Sequence, residues 1–210
     1  MLITFSGLDG AGKTTLIEWL RGHLELRHHR VRVVHFNDHI GVYAGLRALR
    51  NKLTGESHVD SPPRLERRTA GWGRVRDTIV WSKTLRRMIY PVDLLIFACY
   101  RAFVEKVMRR VLIVDRYFYD RVVDVTDRPS GFWMPLLARM APTPDLPILL
   151  VIDPEEAYAR KGEYSVPYLQ QRATVYHALF PLVRTGVWLP AYELDAAKQV
   201  LARTIGERLS

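Results

Sequence analysis

The chain has 210 residues, 48% hydrophobic and 25% charged, with 13 Gly and 12 Pro, a composition that excludes disordered, collagenous and coiled-coil classes. Its one cysteine, Cys99, excludes an internal disulfide framework and any multi-cysteine metal site. The net charge of +9 is localised: residues 47–110 hold 15 basic and 6 acidic side chains and the remainder 16 of each, a field that attracts nucleotides, nucleic acid or anionic membrane unless it is simply a solvated basic face.

Met1–Ser6 reads as a short buried strand ending in a glycine turn. From Lys13, the residues Leu16, Ile17, Leu20 and Leu24 recur at helical spacing, which predicts a helix to about His28. Arg30–Phe36 alternates as a second strand. Strand, turn, helix and strand in that order make a βαβ unit and hence a parallel sheet. Ile40–Leu53 has the pattern of an amphipathic helix, and Thr54–Arg64 that of a loop. Val75–Tyr90 is a helix studded with basic residues, which Pro91 is expected to interrupt, and Val92–Arg110 resumes it. Val111–Asp115 is a buried parallel strand closed by an acid. Gly131–Met140 follows as a short helix and Leu146–Asp153 as another strand. Pro154–Lys161 and Val166–Thr185 are helical, Val187–Leu194 is a last strand, and Ala196–Leu209 a closing helix. The expectation is a single α/β domain built on a parallel sheet of about five strands, with a basic helical insertion at about 55–91. No basic stretch precedes an apolar run at Met1, and Leu94–Tyr100 and Leu146–Ile152 are too short to span a bilayer. A soluble, cytoplasmic protein is expected.

Gly7-Leu8-Asp9-Gly10-Ala11-Gly12-Lys13-Thr14 fits the pattern G-x-x-x-x-G-K-[ST], directly after a strand and before a helix. Glycines let the backbone curl so that successive N–H groups, those of Gly10, Ala11, Gly12, Thr14 and Thr15 among them, face phosphate oxygens. The helix that follows adds its positive end. Lys13 would bridge the β- and γ-phosphates and the Thr14 hydroxyl would ligate Mg²⁺, which implies bound ATP. Asp115, at the end of an apolar strand, has the form of a second Mg²⁺-directed carboxylate at the edge where ligands bind in open α/β sheets. Arg116 and Tyr117 accompany it, and guanidinium and metal can share the oxygens of adjacent phosphoryl groups.

Ile3–Thr15, the segment Phe97-Ala98-Cys99-Tyr100-Arg101 and Val114-Asp115-Arg116-Tyr117 resemble thymidylate kinases in order, type and spacing, and Val166–Leu182 resembles that family's penultimate helix. The resemblance implies a P-loop NTPase three-layer sandwich and transfer of the γ-phosphoryl of ATP to a nucleoside monophosphate, dTMP giving dTDP, with Mg²⁺, by a homodimer. It implies that Asp9 holds the acceptor sugar's 3′-hydroxyl and that Phe97 stacks on the base. Arg101 and Arg116, with Tyr117, would grip the acceptor phosphate, and Asp115 would help hold the metal. Arg160, then Lys161, in a short lid at about 159–165 would cover the transferring phosphoryl group. The chain departs from the family at Phe36–His39, which lacks an arginine, at Cys99-Tyr100, and in its short lid. Those departures keep open a kinase for another nucleotide or a phosphorylated small molecule. A P-loop regulatory protein that reads nucleic acid or membrane through its basic segment is the alternative from another class.

Overall fold

The computed structural model describes residues 1–36, 83–126 and 132–209. Five strands form one sheet: β1 (Leu2–Gly7), β2 (Val31–His35), β3 (Val111–Asp115), β4 (Leu146–Val151) and β5 (Val187–Pro190). Their order is β2-β3-β1-β4-β5 and every pairing is parallel. Because β1, β3 and β4 are interior, they are buried along both faces and read as continuous apolar runs.

Helix α1 (Lys13–Leu26) follows β1 and buries Leu16, Ile17, Leu20 and Leu24, the stripe its spacing predicts. It packs with the closing helix α7 (Leu194–Leu209). Helices α3 (Phe118–Val125), α4 (Trp133–Met140) and α6 (Val166–Leu179) pack on one another, and α3 also meets β1. Parallel crossovers are right-handed. The connection from β1 runs across β3 to β2, whereas that from β3 runs the other way across β1 to β4. The two therefore leave the sheet on opposite faces. The gap between the carboxyl ends of β1 and β3 is the switch point at which open α/β sheets bind ligands.

Several boundaries differ from the sequence expectation. Helix α2 (Lys83–Ala102) passes through Pro91 without a break, and a π-helical turn, Phe103–Val107, then carries the chain to β3. Helix α3 has no counterpart in the periodicity reading, although it buries Phe118, Val122 and Val125 at helical spacing. Helix α6 stops at Leu179, with a 3₁₀ turn at Phe180–Leu182 where Pro181 removes a backbone donor. Helix α5 (Pro154–Lys161) matches its expected span and is capped by Asp153, whose carboxylate accepts from the backbone N–H groups of Glu155 and Glu156. The predicted helix Ile40–Leu53, the loop Thr54–Arg64 and most of the basic segment 55–91 lie outside the described residues. Among the described residues no helix is long and apolar enough to cross a membrane.

Candidate functional site

The carboxyl end of β1 turns into α1 through Gly7–Gly12. Gly7 lies at φ +139°, and a Cβ there would stand 2.5 Å from the Leu150 carbonyl oxygen of β4. Gly10 lies at φ +91°, and a Cβ would stand 2.7 Å from the Ala157 carbonyl oxygen of α5. Both positions combine a left-handed backbone with a close backbone approach, so no side chain fits either. The turn is thereby pressed against the sheet on one side and against α5 on the other.

Lys13, the first residue of α1, is buried, and its ammonium folds back over the turn to donate to the carbonyls of Gly7 (3.0 Å) and Leu8 (2.7 Å). Burial lowers its pKa; the Asp9 charge opposes the shift and the Arg116 charge adds to it. Thr14 and Thr15 are exposed on the same first turn.

Asp115 ends β3 directly opposite Phe5 of β1 and His35 of β2 in the sheet register. It is buried. Its Oδ2 accepts from His35 Nδ1 at 3.0 Å, while its Oδ1 has no hydrogen-bond partner. Burial pushes this carboxyl up, but the His35 hydrogen bond and the charges of Lys13 and Arg116 outweigh it, so the pKa falls. Magnesium takes one or two protein oxygens and fills its octahedron with phosphate oxygens and water. A buried carboxylate oxygen without a partner, on the strand beside the turn that carries Thr14, is a donor set that fits it.

Arg116 follows β3 at φ +59°, a conformation costing a non-glycine residue about 1–3 kcal/mol. Its N–H donates to the Phe5 carbonyl at 3.0 Å, and its guanidinium pairs with the Asp9 carboxylate. Burial would lower its pKa, but Asp9 and Asp120 dominate and the group stays charged. Beneath the turn lies a buried polar cluster. Asp120 of α3 accepts from Ser6 Oγ (2.7 Å) and from the Tyr176 hydroxyl of α6 (2.6 Å), and Tyr176 also reaches the Gly7 carbonyl at 3.5 Å. Burial raises the Asp120 pKa.

On the outer side, Tyr164 and Tyr168 stack with ring centroids 5.0 Å apart. Arg172 lies over the Tyr168 and Tyr176 rings and pairs with Asp124. The charges of Asp9 and Arg116 both act on Tyr164, whose pKa burial raises, so this ring belongs to the same neighbourhood.

The structure thus brings Gly7–Thr15, Asp9, Asp115 and Arg116 together, and keeps three other predicted residues apart from them. Phe97 is fully buried among Phe36, Tyr117 and Phe118, with centroids 5.4–5.6 Å away. Exposing it to stack on a base would forfeit about 1.5–3 kcal/mol of burial and its edge-to-face contacts, as much as a stacked base returns. Tyr117 is equally buried, and its hydroxyl donates to the Pro142 carbonyl. Arg101 lies at the opposite edge of the sheet, bound to Glu105 (3.0 Å), Asp145 (3.1 Å) and the Thr143 carbonyl (3.0 Å). Glu105 also holds the amino terminus, and Asp145 accepts from the Leu2 N–H, which fixes that cluster at the amino ends of β1 and β4. The short π-turn between α2 and β3 draws Arg101 there, so it is set aside as an acceptor ligand.

Arg160 pairs with Glu156 one turn back on α5, and Lys161 with Glu163 at 3.2 Å. Both are partly exposed, and Gly162 ends the helix at φ +63°. Sequence reasoning missed His35, Ser6, Asp120, Tyr176, Tyr164 and Arg172. Asp120 lies on α3, which the periodicity does not predict, and His35 meets Asp115 through sheet register rather than through a local pattern. Compared with known proteins, the chain matches no family model and no curated sequence.

Proposed function

We propose that this chain is a P-loop phosphotransferase that moves the γ-phosphoryl group of ATP to a nucleoside monophosphate, with dTMP the first acceptor to test. The observation that carries this reading is the turn Gly7–Gly12, locked between β4 and α5 and folded around the Lys13 ammonium, beside Asp115 at the sheet's switch point. Bound phosphates would take over the contacts that Lys13 now makes with two carbonyls. In the transfer, the bond from the γ-phosphorus to the β-bridging oxygen breaks, an acceptor phosphate oxygen bonds to phosphorus, and ADP leaves. The protein's part is positioning and charge neutralisation. Lys13 would neutralise the β- and γ-oxygens, Thr14 and Asp115 Oδ1 would hold Mg²⁺, and Arg160 would approach the transferring group from α5. When bound, the metal adds charge neutralisation across the phosphates.

On the acceptor side, Asp9 and Arg116 form one charged pair next to the turn. Asp9 suits a sugar hydroxyl and Arg116 a phosphate oxygen. With Phe97 and Arg101 outside the site, a specific observation also favours a second reading, in which the acceptor is another nucleotide or a phosphorylated small molecule. A homodimer is part of the proposal: α2 exposes Val92, Leu95 and Ile96, and the π-helical turn after it exposes Phe103 and Val107, a face that a second copy would cover. Nucleic acid or anionic membrane remains the partner of the alternative regulatory reading, whose basic segment lies largely outside the described residues. The test is a panel of nucleoside monophosphates with ATP and Mg²⁺, scored for diphosphate formation. Product with dTMP above the other bases supports the first reading, and product with a different nucleotide, or with a phosphorylated sugar added to the panel, supports the second.

A further inference from the structure

We infer that His35 is a positioning residue for the metal carboxylate: by donating its Nδ1–H to Asp115 Oδ2 it turns Oδ1 toward the cation. The inference rests on the Mg²⁺ reading of the site. Three observations carry it. His35 and Asp115 are in direct register on neighbouring parallel strands, at the last position of each. Residues in register share a face of the sheet, so the two side chains stand side by side. The contact of 3.0 Å uses one carboxylate oxygen only, and the other is buried without a partner.

A carboxylate at a strand end can rotate about its last bond and present either oxygen. A fixed donor on one oxygen removes that freedom and leaves the second oxygen for the metal, the role that outer hydrogen bonds play at metal carboxylates generally. His35 is half exposed on a strand that lies at the sheet edge among the described residues, so its side chain is not required to fill the core. Nothing in a glycine-turn motif predicts it. It is supplied by sheet register.

The experiment measures Mn²⁺ binding to the protein with a non-hydrolysable β,γ-imido analogue of ATP by electron paramagnetic resonance, for wild type, His35→Val and His35→Asn. Valine suits an edge strand and deletes the donor, whereas the asparagine amide nitrogen occupies the position of Nδ1 and keeps it. The expected result is a loss of about 10–100-fold in Mn²⁺ affinity for His35→Val, affinity close to wild type for His35→Asn, and unchanged binding of the analogue without metal. Unliganded melting temperatures close to wild type show that both variants fold. Wild-type Mn²⁺ affinity in His35→Val overturns the inference, as does an equal loss in His35→Asn. Absence of a ternary signal in the unsubstituted protein overturns the metal reading itself, a failure visible without any variant.

Discussion

The charged residues around the turn divide into those whose ionised form the fold favours and those it penalises. Asp120 belongs to the second group, since burial raises its pKa above the ordinary 3.8 despite the Tyr176 and Ser6 hydrogen bonds. Its native form holds the proton more tightly than the unfolded chain does. The stabilisation from that proton is complete below the ordinary carboxylate range and is lost as pH rises through the raised value. Asp115 acts in the opposite sense: its pKa is lowered, so its contribution is present above the ordinary range and is lost as acid protonates it. Asp120→Asn is therefore expected to flatten the decline of stability with rising pH above 3.8, which urea midpoints measured across that range would reveal. An unaltered decline would place its origin elsewhere. Arg101→Ala is expected to leave the acceptor KM unchanged and to cost about 1–2 kcal/mol of stability, because its partners Glu105, Asp145 and Thr143 stand at the far edge of the sheet. A raised acceptor KM with unchanged stability would return Arg101 to the site. The placement of Lys13, Thr14, Asp9, Asp115 and Arg116 at one end of the sheet is legible in the sequence because a contiguous turn and two strand ends determine where they sit. The placement of Phe97 and Arg101 is not legible in it, because the depth at which a helix residue lies beside the sheet depends on the length of the connection that follows it.

At the scale of elements, the turn works because α5 and β4 leave it no room to open. Gly10→Ala must both adopt φ +91° and displace the Ala157 carbonyl, so it should destabilise the protein by about 1–3 kcal/mol and push α5, with Arg160, away from the turn. The check is a denaturant titration paired with ATP binding. Wild-type values in both would mean that α5 does not brace the turn. The strands were the most legible elements, since β1, β3 and β4 are apolar runs of strand length ended by a glycine or an acid. Pro91 in the middle of α2 predicts a break, since proline removes one donor and crowds the preceding turn, yet Tyr90, Asp93 and Phe97 are buried around it and hold the helix on its course. Helix α3 is not legible in the sequence because its apolar residues directly follow Asp115-Arg116-Tyr117 and a short aromatic segment shows helical periodicity poorly. The same holds for Asp120, the residue that ties α3 to β1 and α6.

Across the whole molecule, the order β2-β3-β1-β4-β5 gathers the glycine turn, Asp115 and Arg116 at one edge and leaves the Arg101–Asp145 cluster at the other. Parallel strands alternating with helices made the fold class readable, whereas the strand order depends on crossovers that local patterns do not encode. The same architecture leaves the apolar stripe of α2 outward. Wild type is expected to sediment as a dimer and Leu95→Glu, which places a charge on that stripe, as a monomer with its own fold intact; a monomeric wild type would remove the second copy. The central claim is that this edge moves a phosphoryl group from ATP, and ³¹P NMR of ATP, Mg²⁺ and dTMP with the protein follows that group directly. The account predicts that the γ-phosphorus signal of ATP gives way to two diphosphates, ADP and dTDP, and that Lys13→Ala slows the exchange by about 10²–10³-fold or more. ATP that persists unchanged, or whose γ-phosphorus appears only as inorganic phosphate for every nucleotide offered, would contradict it.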